Sequence, residues 1–241
     1  MAIAEDHCLA VRSKNRLRKW YSGGVRELVE SNGAVLTGPC STALPLNWDH
    51  LCGLKIESFH VQPELDVITA DHCQAARLAI KNLRLLGYRR VGLALTRDED
   101  ARLENLFLIG YLVEHQHQLL KEEVTPFYFD DPESGTLPAQ IENWIIRDRI
   151  DAVVSNTNLL PVLIQKTKHP AARHVAFGSL DMAETDTEVA GVVMNYRMVG
   201  ERAAELLAIR MHTNQRGIPV NAATTTTPVG WSDGTSAPRI K

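Results

Sequence analysis

The chain has 241 residues, of which 44% are hydrophobic and 23% are charged, a composition typical of a globular protein with one large domain or two smaller ones. The formal net charge of −3 at pH 7 provides no strong field that would attract nucleic acid. The four cysteines, Cys8, Cys40, Cys52 and Cys73, form no CxxC pair, so neither a zinc site nor a disulfide framework is indicated.

Membrane insertion and export are not indicated either. No apolar stretch approaches the roughly 20 residues that a membrane-spanning helix requires. The first residues, MAIAEDH, lack the basic and apolar regions of a signal peptide. We therefore expect a cytoplasmic protein with no membrane partner.

The N-terminal region contains a basic run at 12–19 (RSKNRLRK). The run fits a solvated face of an amphipathic helix, and a nucleic-acid-binding arm is the alternative. The first interpretation is favoured because no helix-turn-helix pattern accompanies the run. Residues 25–30 (VRELVE) are predicted to be helical, and 34–39 (AVLTGP) to form a short buried strand with a turn.

The most regular pattern is a strand, a helix and a second strand. LDVITA (65–70) predicts a strand, and Asp71 with Gln74 resembles a capping box that begins a helix. An apolar stripe at helical spacing follows, and Gly87 ends the helix. VGLAL (91–95) predicts a strand covered on both faces. We expect these elements to form a βαβ unit of a parallel sheet.

The alternation of strands and helices continues to the end of the chain. It predicts an α/β protein with doubly wound parallel sheets. Helices are expected at 101–119, 138–148, 159–166 and 197–212, and strands at 124–129, 151–155, 174–179, 191–194 and 223–231.

The segment DHCQAARLAIKNLRLLGYRRVGLAL (71–95) resembles the effector-binding domain of the LacI (lactose repressor) family, with Tyr88 in place of the usual histidine. Further segments resemble the family in the same order, so that the likeness covers roughly residues 60 to 235. These segments are IGYL (109–112), DAVVSNTN (151–158), HVAFGSLD (174–181) and VVMNYRMVGERAAELL (192–207).

The resemblance implies a two-lobed, periplasmic-binding-protein-like fold with three crossovers. The N-terminal lobe would contain 1–96 and 195–222, and the C-terminal lobe 97–194 and 223–241. Such proteins bind a small molecule, often a sugar or purine, between the lobes, and they form side-by-side homodimers. We therefore expect an effector-binding domain of a transcriptional regulator whose ligand is a sugar or polyol.

Two departures from the family pattern concern the N-terminal part. The family's DNA-reading helix-turn-helix is not found, so DNA binding is expected only if such a module lies upstream in a longer protein. The first strand, helix and second strand of the N-terminal lobe are also expected to be missing, which would leave its sheet incomplete. The chain is then a truncated or mis-started regulator, or one that relies on a partner.

Three polar residues are candidate ligands for hydroxyl groups. Asp71 begins a helix after a strand, and an N-cap role is its alternative. Asn158 follows the strand 151–155, and its amide can both donate and accept, although it too fits an N-cap. Asp181 follows the strand 174–179, where a carboxylate can accept two hydroxyl hydrogen bonds from a sugar.

Two further residues follow from the resemblance. Phe107 stands where many family members place an arginine, so it could stack on a sugar or base, with a core role as the alternative. Asn195, where a strand meets the last helix, could line the hinge or serve only as a turn residue. The run 97–100 (RDED) fits a solvated loop, with a place at the rim of the site as its alternative.

Catalysis, metals and cofactors are not indicated. The sequence contains no GxSxG, HExxH or P-loop motif. His115 and His117 point to different sides of a helix, so they cannot join Glu114 on one metal ion. An enzyme on a doubly wound sheet, and a dimerisation module that has lost its ligand, remain the two alternative functions.

Overall fold

The computed structural model consists of two compact units. Unit 1 comprises Met1–Ala70 and Tyr196–Thr227, and unit 2 comprises Asp71–Asn195 and Pro228–Lys241. The residues that the structure describes are 8–13, 16–20, 33–37, 47–57, 62–116, 124–131 and 134–240.

Unit 1 contains a six-stranded sheet in the order β11-β5-β4-β3-β1-β2. Strands β3, β4, β5 and β11 are parallel, whereas β1 is antiparallel to both β2 and β3. The strands are β1 (Cys8–Ser13), β2 (Arg16–Trp20), β3 (Gly33–Thr37), β4 (Cys52–Ile56), β5 (Val67–Ala70) and β11 (Thr224–Thr227).

The antiparallel pair β1–β2 corrects the prediction for the basic run at 12–19, which is not helical. Leu17 between Arg16 and Arg18 gives a two-residue alternation, and Asn15 is a turn former, so the run suits a hairpin. The hairpin also supplies two strands to the sheet of unit 1, whose first strands were expected to be missing. The predicted strand at 34–39 is confirmed as β3, and the predicted helix at 25–30 lies outside the described residues.

The core of unit 1 lies between its sheet and the last helix of the chain. Helix α7 (Tyr196–His212) packs Val199, Ala203 and Leu207 against Cys52, Leu54 and Ile68. Arg210 reinforces this contact, because its guanidinium donates to the Gly53 carbonyl at 2.7 Å and pairs with Asp66 at 3.1 Å.

Unit 2 contains a second six-stranded sheet in the order β12-β10-β9-β8-β6-β7. All neighbours are parallel except β12, which is antiparallel to β10. The strands are β6 (Val91–Thr96), β7 (Phe127–Phe129), β8 (Ala152–Ser155), β9 (Ala176–Met182), β10 (Ala190–Val193) and β12 (Gly230–Ser232).

Helices cover both faces of the second sheet, as expected for a doubly wound fold. They are α1 (His72–Leu85), α2 (Arg97–Arg102), α3 (Leu106–Gln116), α4 (Leu137–Arg147), α5 (Leu160–Gln165) and α6 (Pro170–Arg173). Val153 and Phe177 pack with α4, α5 and α6, whereas Gly178, the next residue of β9, lies against Leu83 of α1.

The boundary between the units corrects the predicted division. Strand β5 pairs with β4 and β11 in the first sheet, whereas β6 pairs with β7 and β8 in the second. Residues 71–96 therefore belong to unit 2 and not to the N-terminal lobe, and 65–95 is not a βαβ unit of one sheet. The pattern predicted each element, but it does not specify which sheet a strand joins.

Two elements are shorter than predicted. The helix expected at 101–119 is interrupted by Glu104 and Asn105, whose φ angles of 55° and 59° are incompatible with a right-handed helix. The β segment expected at 223–231 is divided at Pro228, so that β11 and β12 join different sheets.

In the described part of the chain, no helix combines the length and apolarity needed to cross a membrane.

Candidate functional site

The carboxyl ends of the parallel strands in unit 2 carry a concentration of polar side chains. Strands β6, β7 and β8 end at Thr96, Phe129 and Ser155, and they end at the same edge because they run parallel. Ligands of open α/β sheets bind outside this edge. We use the name polar edge for five residues of this region, Thr96, Glu99, Asp100, Tyr128 and Asn156.

Glu99 connects three segments of the polar edge. Its Oε2 atom accepts a hydrogen bond from the Thr96 hydroxyl at 2.7 Å and another from Asn156 Nδ2 at 2.7 Å. Because the amide nitrogen of Asn156 faces Glu99, its Oδ1 atom is left as an acceptor. That oxygen is shielded from solvent and has no hydrogen-bond partner.

Asp100 is fully buried beside this network. Tyr128 donates its phenol to Asp100 Oδ2 at 2.6 Å. Burial raises the pKa of Asp100, although the Tyr128 phenol and the Leu108 backbone N–H act against this rise. Among the residues that the structure describes, none is a hydrogen-bond partner of its Oδ1 atom.

Arg97 is the cationic group next to the polar edge. Its guanidinium lies 5.1 Å from the centre of the Tyr128 ring, and its Nε is 3.3 Å from Asp130 Oδ1. Both side chains of this ion pair are largely exposed, so the pair contributes little stability. Burial and the neighbouring Asp100 carboxylate raise the pKa of Tyr128, which therefore remains a donor at neutral pH.

The structure gives Asp71 and Phe107 clear local roles. Asp71 caps α1, because its Oδ1 accepts from the Gln74 backbone N–H at 2.8 Å, and the capping role is confirmed. Phe107 is almost completely buried, with its ring centre 5.0 Å from that of His72 in an edge-to-face arrangement. This packing supports the core alternative for Phe107, and the ligand roles of both residues stay predictions.

Asn158 and Asp181 lie near the carboxyl ends of β8 and β9. Asn158 is exposed before α5, but Leu159 holds the N-cap position, so the capping alternative for Asn158 is wrong. Asp181 lies inside β9 and not after it, and it is half-buried. Its backbone is fixed by the Ser179 hydroxyl, which bonds both its N–H and its carbonyl. The ligand roles stay predictions.

Asn195 lies where the chain leaves unit 2. It has a left-handed φ of 52°, which asparagine tolerates better than most residues. Its Nδ2 donates to the carbonyl of Pro228 at 2.9 Å, where the chain re-enters unit 2. The left-handed backbone of Asn195 fits the predicted turn role, and its role in lining a hinge stays a prediction.

Unit 1 has a polar group at the carboxyl edge of its own sheet. Glu57 follows β4 with a φ of 61° and a nearly buried side chain, and Thr69 of β5 donates to its Oε2 at 2.6 Å. A buried carboxylate on a strained backbone is typical of functional positions. Glu57 was not predicted, because the hydrophobic pattern of a strand does not encode the conformation of the residue that follows it.

The residues of the polar edge were also not predicted as ligand residues from the sequence. The run 97–100 begins α2, so the predicted solvated loop is wrong, and a place for this run at the rim of the site stays a prediction. The sequence predicted Asn158 as a ligand and not Asn156. The available signal was that Thr96, Glu99 and Asn156 all follow predicted strand ends.

In the described residues, no group of three or more histidine, cysteine, aspartate or glutamate side chains is placed to hold a metal ion.

The fold is similar to those of solved transcriptional regulators. A regulator from Lactobacillus plantarum has a TM-score of 0.65 at 13% identity, over 90% of this chain and 86% of the other. A LacI family regulator from Enterococcus faecium with bound ribose has a TM-score of 0.56 at 12% identity, over 78% and 71% of the two chains. The complex of the regulator CelR with cellobiose has a TM-score of 0.60 at 16% identity, over 87% and 67%.

These likenesses establish the class of fold. The chain has the two-unit α/β fold of LacI family transcriptional regulators, which confirms the fold that the sequence resemblance implied. No family model matches the sequence, and no curated protein does.

Proposed function

We propose that this chain is the effector-binding part of a transcriptional regulator, that it binds a sugar-like small molecule, and that it catalyses no reaction. The proposal is carried by the polar edge, which lies at the carboxyl ends of parallel strands in a fold shared with regulators solved with ribose and cellobiose. Hydroxyl-rich ligands need several convergent acceptors and donors, and the polar edge supplies both.

Each group has a role suited to a polyol. The Asn156 Oδ1 and Asp100 Oδ1 atoms are acceptors without donors, and Asp181 is a half-buried carboxylate at the end of β9. Glu99 holds Asn156 in a single orientation through the bond to its Nδ2. We expect ligand hydroxyls to donate to these oxygens, and a ligand that binds one conformational state better would shift the protein toward it.

Thermal unfolding in the presence of sugars tests this function. We expect ribose, cellobiose or another member of a panel of neutral and substituted sugars to raise the melting temperature, because a ligand at a hundredfold excess over its Kd stabilises the folded state by about 2.7 kcal/mol. A panel in which no sugar changes the melting temperature would contradict the function.

Replacing Asp181 by alanine tests the site assignment. We expect Asp181→Ala to abolish the ligand-induced shift while the unliganded melting temperature changes little, since the side chain is half-buried at a strand end. Glu184→Ala is the matched control, because Glu184 is exposed three residues further on. Binding by Asp181→Ala as tight as that of the parent would show that the site is wrong.

We also propose that the protein is a homodimer. Several large apolar side chains are exposed, including Leu85 (71%), Ile209 (57%) and Val220 (98%), and exposed apolar surface often marks an interface. Size-exclusion chromatography with light scattering at tens of micromolar is expected to give the mass of a dimer. A stable, well-folded monomer under these conditions would contradict the proposal.

A further inference from the structure

Two buried oxygen atoms of the polar edge, Asp100 Oδ1 and Asn156 Oδ1, receive no hydrogen bond from any residue that the structure describes. Reversing the Asn156 amide would not remove the difficulty, because Nδ2 donates to Glu99 Oε2 at 2.7 Å and the reversed amide would bring two oxygens together. A buried acceptor without a donor costs about 1–3 kcal/mol. The polar edge is therefore arranged to receive donors from a ligand.

The charges of the same region are unbalanced. Glu99 and Asp100 belong to the polar edge, and the nearby cation, Arg97, is already shared between Asp130 and the ring of Tyr128. Glu99 is itself exposed, and the two donors that reach it, from Thr96 and Asn156, are uncharged and both bond its Oε2 atom. The region thus attracts positive charge and repels a phosphorylated or carboxylated ligand.

An organic cation suits this arrangement better than a metal ion. Among the residues that the structure describes, none of the groups of acidic, histidine and cysteine side chains could hold a metal. A protonated amine donates three hydrogen bonds and accepts none. It therefore supplies donors to neutral and charged oxygens together, whereas a hydroxyl in the same place donates only one.

We infer that the polar edge selects a ligand carrying a protonated amine, of the amino sugar class, over neutral or anionic sugars. The inference rests on the proposed function and specifies the ligand of that same site. The ammonium group lies against the exposed carboxylate of Glu99 and beside the half-buried Asn156, with the buried Asp100 behind them, while the sugar hydroxyls extend toward Asp181.

Matched pairs of sugars provide the test. Isothermal titration calorimetry at pH 6.5 would compare glucose with glucosamine, galactose with galactosamine and mannose with mannosamine, and would include glucose 6-phosphate as an anion. We expect at least one amino sugar to bind about tenfold more tightly than its hydroxyl counterpart, a ratio that corresponds to one well-placed charged hydrogen bond. Glucose 6-phosphate is expected to bind more weakly than glucose.

A charge-removing substitution locates the selectivity. Glu99→Gln keeps an oxygen that can accept from Thr96 and Asn156 but removes the charge, so we expect the preference for the amino sugar to fall to about threefold or less. Glu201→Gln is the matched control, because Glu201 lies on α7 of unit 1 in an exposed pair with Arg197. Glu201→Gln should leave the ratio of the affinities for the amino sugar and its hydroxyl counterpart as it is in the parent protein.

The outcomes separate this inference from the proposed function. Equal or tighter binding of the neutral sugars would overturn the selectivity for an amine and leave the sugar-binding function standing. An amine preference that survives Glu99→Gln would overturn the assignment to the polar edge. Absence of binding by every sugar, with ribose and cellobiose included, would overturn the proposed function and the inference with it.

Discussion

Replacing Gly110 by alanine is expected to destabilise the protein by about 3 kcal/mol or more. A β carbon at this position of α3 would lie 2.2 Å from the backbone oxygen of Cys73 and 3.0 Å from the Ala76 side chain, both on α1. A backbone atom cannot rotate away, so the two helices would have to separate. Urea unfolding monitored by circular dichroism measures the loss.

Gly200→Ala is the matched control for this substitution. Gly200 lies within α7, and a β carbon there meets nothing within 4 Å. Because alanine favours the helix and reduces the freedom of the unfolded chain, we expect Gly200→Ala to raise the free energy of unfolding by about 0.5–1 kcal/mol. The two substitutions should therefore act in opposite directions, and a neutral Gly110→Ala would contradict the close packing of α1 and α3.

Acidification from pH 7 to pH 5 is expected to lower the free energy of unfolding of the parent protein by about 2 kcal/mol more than that of the variant His115→Gln. Burial, together with the charges of Arg84 and Arg90, lowers the pKa of His115 from 6.5 to about 4. Between these values the unfolded chain binds a proton that the folded protein excludes. The contribution of His115 is therefore complete above pH 6.5 and is lost as the pH falls toward 4.

The measurement is the free energy of unfolding in urea at several pH values. Other groups titrate in the same range, but their contributions cancel when parent and variant are compared. His212→Gln is the control, because His212 is exposed at the end of α7, and it should retain the pH dependence of the parent. An unchanged pH dependence of the free energy of unfolding for His115→Gln would show that folding does not lower the pKa of His115.

Local signals account for the elements that the sequence predicted correctly. Asp71 begins α1 and Gly87, with a φ of 108°, follows its end, and both features depend only on neighbouring residues. The assignment of β5 and β6 to different sheets depends on pairing with β11 and β8, which are distant in sequence. Hydrophobic pattern predicts such strands but does not identify their partners.

In the candidate site too, features set by neighbouring residues were predicted, whereas features set by contacts distant in sequence were not. Asp71 and Asn195 were recognised because each marks a local transition, and the structure gives each a local hydrogen bond. The polar edge combines Glu99, Tyr128 and Asn156, which come from three separate segments. Their proximity depends on the order of β7, β6 and β8 in the sheet, which composition and spacing do not contain.

The three passages of the chain between the units constrain how the protein folds during synthesis. Unit 1 gains its strand β11 only after all of β6 to β10 has been made, and unit 2 then needs β12 to pair with β10. The segment beyond β12 is also required, since Tyr88 bonds the Pro238 carbonyl and Ile240 bonds Leu86.

Unit 1 therefore cannot complete its sheet until the ribosome has synthesised β11, and unit 2 cannot complete its own until β12 and the segment after it have been made. The nascent chain carries two unfinished sheets until β11 has been made, so chaperones have an interval in which to bind it. Either unit expressed as a single uninterrupted fragment would lack a strand that the other part of the gene encodes.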